Sequence, residues 1–102
     1  MGRVRLEVTP WLGETLGMAK TSEEPIPGQG SDVADSSVKS LLSQLSGRYQ
    51  WFDEIVFDTK TQRLTGKVVL FLNGRDLELS EGLETRLNDG DVLTFVPLIV
   101  GG

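Results

Sequence analysis

Few residues of this chain could do chemistry. The first candidates are the last two, Gly101 and Gly102. Glycine lets a backbone enter a narrow space, because no Cβ stands in the way. The group delivered through such a channel would be the Gly102 carboxylate. A carboxylate is a poor acyl donor until it is activated, for example as an acyl-adenylate made from ATP. The chain holds 12 glycines, so a Gly-Gly pair alone is a modest signal. It gains weight from what precedes it: an apolar stretch Leu98-Ile99-Val100 without a charge, Pro97, and a strand-like run from Val92 to Val96.

Other chemistry has little support. There is no cysteine and no histidine, which removes thiolate metal ligands and the commonest general base. Ser36, Ser37, Ser40, Ser43 and Ser46 therefore lack a histidine to activate them. Asp53 with Glu54, and Asp89 with Asp91, are carboxylate pairs in sequence. Paired carboxylates can do acid–base work, but acids in turns and loops are far commoner. Gly13 and Gly17 lack the lysine of a phosphate loop. No metal site is expected, and any chemistry at the chain end would be done by another protein.

The elements that must position that end read as follows. Val4, Leu6 and Val8 alternate with Arg3, Arg5 and Glu7, the pattern of a half-buried strand. Thr9-Pro10-Trp11 ends it. Residues 13–34 hold Gly13, Gly17, Pro25, Pro27, Gly28 and Gly30, which break regular patterns and predict a flexible loop. Lys20 to Ile26 could supply a second strand, confined to a sheet edge by proline. Val38, Leu41, Leu42 and Leu45 form one helical stripe. Asp35, Ser36 or Ser37 would cap its start, and Gly47 its end. Trp51-Phe52 and Ile55-Val56-Phe57 predict either a hairpin arm or, preferred for Trp51 and Phe52, a loop pinning its aromatics on the core. Val68 to Leu72 is a strand, Asn73-Gly74 a hairpin turn, and Leu77 to Leu79 the return strand. Ser80 to Leu87 reads as an irregular turn with Leu83 and Leu87 facing in. Asp89-Gly90 turns into the last strand. The fold class is α+β: a mixed sheet of four or five strands under one main helix.

Leu70-Phe71-Leu72-Asn73-Gly74, then Leu87-Asn88-Asp89-Gly90-Asp91, then a strand, Pro97 and Gly101-Gly102 resemble a ubiquitin-like sulfur carrier. The kinds it resembles are the small subunit of molybdopterin synthase, the thiamin-pathway sulfur carrier, and the ubiquitin-related and archaeal small modifiers. The resemblance implies a β-grasp fold with the first and last strands parallel at the centre. It implies that Gly102 is adenylated by a ubiquitin-activating-like enzyme using ATP, that sulfur replaces AMP, and that a sulfur-accepting synthase subunit takes the sulfur from the thiocarboxylate. Molybdopterin or tungstopterin biosynthesis is the leading pathway. Thiamin synthesis, tRNA thiolation, or conjugation to lysines as a protein modifier are the alternatives. The chain would then be a carrier and not itself an enzyme, with no cofactor of its own.

Alternation also divides the sheet residues by face. Leu70, Leu72, Leu93 and Phe95 are assigned to the core. Val69, Phe71, Thr94 and Val96 are left on the open side as a partner-binding face, continued by Leu98, Ile99 and Val100. The resemblance implies docking through this face.

Size and charge set the remaining expectations. The 102 residues should form a single domain, with a flexible tail from about residue 98. The net charge of −5 argues against nucleic acid. Spread-out acids serve solubility first, and a basic partner surface is the second reading. No apolar run is long enough to span a bilayer, no apolar segment of a signal peptide follows Met1-Gly2-Arg3, and the cytoplasm is the expected location.

Overall fold

The computed structural model describes residues 2–28, 36–79 and 82–98. Strand β1 spans Arg3–Val8 and buries Val4, Leu6 and Val8, as its alternation requires. Helix α1, Pro10–Leu16, follows at once. It stands where glycine and proline predict irregular chain. Pro10 is tolerated because the first helical turn leaves its N–H positions unpaired in any case. Gly13 is required by packing: a Cβ there would lie 2.8 Å from the Met18 carbonyl oxygen. The helix closes at Gly17, left-handed at φ 79°, and both Gly17 and Met18 donate their N–H to the Gly13 carbonyl. The expected flexible loop is therefore regular structure over much of its described part: the end of α1 and a following strand. Strand β2, Thr21–Pro25, then returns antiparallel to β1 as a sheet edge, where proline was expected to confine it. Residues 29–35, including Gly30 and the capping candidate Asp35, lie outside the described residues.

Helix α2, Val38–Arg48, turns Val38, Leu41, Leu42 and Leu45 fully into the core. Burying four such side chains contributes roughly 6–12 kcal/mol before entropy is counted. Ser37 is the cap: its side-chain oxygen accepts from the Ser40 N–H at 3.2 Å. Gly47 does not end the helix. It sits inside the last turn, and Tyr49 is the C-cap in an extended conformation. The helix runs on because Tyr49 N–H still reaches the Leu45 carbonyl at 2.9 Å.

Helix α3, Phe52–Ile55, and the small hairpin of β3, Phe57–Asp58, and β4, Arg63–Leu64, come next. Both sequence alternatives are thus partly realised. Phe52 is fully buried, edge-on to Phe95 at 5.9 Å between ring centres. Trp51, which was expected on the core as well, is 44% exposed: it precedes α3 and faces outward.

Strand β5 spans Val68–Leu72. Asn73 and Gly74 take φ of 54° and 84°, and the return strand β6 is only Arg75–Asp76. Leu77 to Leu79 is not a strand: Leu77 is buried and its N–H meets the Leu70 carbonyl, while Leu79 swings out to 85% exposure. A 3-10 turn at Gly82–Glu84 half-buries Leu83, and Leu87 is buried, both facing in as expected. Strand β7, Val92–Pro97, completes the sheet. The order is β2-β1-β7-β5-β6, with β7 parallel to β1 and antiparallel to β5. The mixed five-stranded sheet under α2 is a β-grasp.

Candidate functional site

The site is the root of the chain end and the sheet face beside it. β7 occupies the centre of the sheet, so its direction is fixed from both sides. Its entry is clamped. Asn88 N–H donates to Asp91 Oδ2 at 2.8 Å, Asn73 Nδ2 donates to Asp91 Oδ1 at 3.0 Å, and Val92 N–H donates to Asn73 Oδ1 at 2.9 Å. Asn73 thereby does two jobs: it tolerates the left-handed turn position and its amide ties β5 to β7. At the exit, Leu98 N–H donates to the Lys67 carbonyl at 2.8 Å. The ladder thus holds the chain through Leu98, the residue at which the tail was expected to loosen. Ile99, Val100, Gly101 and Gly102 lie outside the described residues.

The structure brings four of the proposed contact residues together. Val69 stands opposite Val96 and Phe71 opposite Thr94, as direct cross-strand pairs. All four are half-buried. The other face of the same strands pairs Leu70 with Phe95 and Leu72 with Leu93. Of these, Leu70, Phe95 and Leu93 are buried and Leu72 packs on the core. The alternation argument therefore chose the faces correctly. Nor does Phe52 cover the open face, since its ring packs against Phe95 in the core. Leu98 continues the strand and is 52% exposed.

Val92 lies on the same face, and what sequence reasoning missed is its neighbour on β1. Its partner across the parallel pairing is Arg5, and Glu7 stands beside Thr94. The apolar column of β7 and β5 is thus bordered by the charged outer side of β1. Alternation along β7 puts Val92 with Thr94 and Val96, but the register against β1 has no local signal.

Three of the four carboxylates singled out in the sequence, Asp53, Asp89 and Asp91, have structural partners. Asp53 accepts from the Thr59 hydroxyl and from the Thr59 N–H at 2.9 Å. These two bonds hold its carboxyl below the usual aspartate range. Asp89 Oδ1 accepts from the Arg3 N–H at 2.9 Å, and Asp91 serves the clamp just described. Each of these three aspartates fixes a turn or a strand end. Among the described residues, no group of three or more Asp and Glu is gathered so as to hold a metal ion. No helix of the described residues is long and apolar enough to cross a membrane.

A ubiquitin-like β-grasp whose central strand runs beside a half-buried, largely apolar sheet face defines the class. The family follows from comparison. The model of the ThiS family matches residues 19–102, and the chain belongs to that family of ubiquitin-like sulfur carriers, whose members are carriers rather than catalysts. The sulfur carrier protein CysO of Mycobacterium bovis is 30% identical over 77 residues, which are 74% of this chain and 83% of that one. The crystal structure of SAMP1 from Haloferax volcanii superimposes with a TM-score of 0.73 at 23% identity, covering 99% of this chain and 100% of its own. A chain of the Amycolatopsis orientalis BexX/CysO complex gives 0.71 at 22% identity, covering 97% of this chain and 99% of its own. At these identities the two structures attest the fold.

Proposed function

We propose that this chain carries sulfur on the carboxyl of Gly102. The carboxylate attacks the α-phosphorus of ATP in a ubiquitin-activating-like enzyme, and pyrophosphate leaves. A sulfur donor displaces AMP, giving a thiocarboxylate, and a synthase subunit accepts the sulfur. Molybdopterin or tungstopterin biosynthesis is the pathway put forward. ATP belongs to the activating enzyme, and this chain contributes the acyl group and the docking face. The observation that supports the reading most is the root of the tail. β7 is held through Leu98 by the Lys67 carbonyl, and it emerges beside the half-buried Val69, Phe71 and Val96. Such an arrangement orients a chain end toward a bound partner. Membership of a sulfur-carrier family and the existence of a CysO complex point the same way.

The test is ATP–pyrophosphate exchange with the cognate adenylating enzyme. Wild-type protein is expected to support exchange. Deleting Gly102, or replacing Gly101 with a bulky residue, is expected to abolish it while the thermal melt stays unchanged. Normal exchange by the truncated protein would sink the carrier reading. Mass spectrometry of protein from its native host adds a second readout. One sulfur in place of one oxygen marks the carrier, whereas Gly102 in an isopeptide bond marks a modifier.

A further inference from the structure

We propose that Trp11 is a contact residue for the adenylating enzyme, placed at the exit of the tail. The inference rests on the carrier reading above and names a part of the partner surface outside the open sheet face. Four residues follow Leu98, and an extended chain spans at most about 3.5 Å per residue, so Gly102 lies within about 14 Å of Leu98. An enzyme that closes a pocket around the Gly102 carboxylate must therefore lay its own surface against the end of the sheet where β7 finishes.

The fold decides what stands at that end. β1 and β7 are parallel, with Val8, the last residue of β1, level with Phe95, and β7 runs two residues further to Pro97. α1 begins two residues after β1 and packs against β7. It buries Leu12 and Leu16 and leaves Trp11 62% exposed. Trp11 and Leu98 are thus two of the large apolar side chains that remain open to solvent, at one end of the sheet. A single exposed aromatic is ordinary on a protein surface. This one is set apart by its place on α1, which packs against β7 beyond the end of β1, and by its mounting. α1 is closed by two hydrogen bonds to the Gly13 carbonyl and by Thr15 Oγ1 donating to the Trp11 carbonyl at 3.0 Å. A tryptophan on a fixed element offers a large area at little entropic cost, the character of an interface anchor. The matching surface is an apolar rim around the mouth of the carboxylate channel, with a hydrogen-bond acceptor for the indole N–H.

The experiment titrates carrier into the same exchange assay, comparing wild type, Trp11→Ala, Trp11→Phe and the protein lacking Gly102. Trp11→Ala is expected to raise the KM for the carrier roughly 10- to 30-fold with little change in kcat, as loss of an interface anchor does. Trp11→Phe should recover most of the affinity, and all variants should melt like wild type. Loss of exchange in the Gly102 deletion together with an unchanged KM for Trp11→Ala overturns the role of Trp11 alone. Absence of exchange by wild type, or full exchange without Gly102, overturns the carrier reading and this inference with it.

Discussion

At the scale of the residue, the acids show how position decides role. Asp53 looks in sequence like one half of a carboxylate pair with Glu54. In the fold it is a staple, receiving the N–H and hydroxyl of Thr59 across the start of the small hairpin. Those bonds favour the charged form, so the folded value lies below the unfolded one. The sign follows by linkage. The contribution is present above the unfolded value and is lost as the pH falls through the folded one. Wild-type protein is expected to lose stability on acidification through this range more steeply than Asp53→Asn, which keeps an acceptor but does not titrate. Urea midpoints measured at a series of acidic pH values check this, and parallel curves for the two proteins would show that the staple carries no proton linkage.

At the scale of the element, two glycines that read alike in sequence behave oppositely. Gly47 lies within α2, exposed, and nothing stands within 4 Å of a Cβ built on it. Gly47→Ala is expected to stabilise the protein by roughly 0.5–1 kcal/mol, because glycine surrenders more backbone entropy in a helix. Gly13 lies within α1, and its Cβ would press on the Met18 backbone. A backbone atom cannot rotate away as a side chain can. Gly13→Ala is therefore expected to destabilise by about 1–3 kcal/mol, the usual cost of overpacking. Chemical denaturation of the two variants side by side gives both signs, and equal shifts in one direction would contradict the packing argument.

At the scale of the whole molecule, one sheet presents two different faces. Leu70 and Phe71 are neighbours in sequence but face opposite ways: Leu70 is 1% exposed beneath α2, and Phe71 is half-buried on the open side. Leu70→Ala is expected to cost roughly 2–5 kcal/mol of stability. Phe71→Ala should cost less, about 1 kcal/mol, and should weaken binding to the adenylating or sulfur-accepting partner. Paired denaturation and affinity measurements decide between the two roles. If Phe71→Ala were the more destabilising and left binding unaltered, the open face would have no part in docking.

The parts of this fold that are local in origin were legible in the chain itself. Val4-Leu6-Val8 alternates with period two, Val38-Leu41-Leu42-Leu45 repeats with the helical period, and Asn73-Gly74 tolerates the positive φ its turn demands. Each follows from the geometry of a few consecutive residues, and the pattern alone separated Leu70 and Phe95 from Phe71 and Val96. Gly102 as the proposed acyl group was put forward from the sequence alone, in a chain without histidine or cysteine. What escaped depends on contacts between distant segments. Gly13 reads as a breaker until Met18 is seen to fold back against it. Gly47 reads as a stop until the Leu45 carbonyl is seen to receive one more N–H. The length of β6 depended on where Leu77 could be buried. The company of Val92 with Arg5, and of α1 with β7, arises from the parallel pairing of the first and last strands. That register is set by how both strands fill the space under α2, and no short stretch of sequence carries that information.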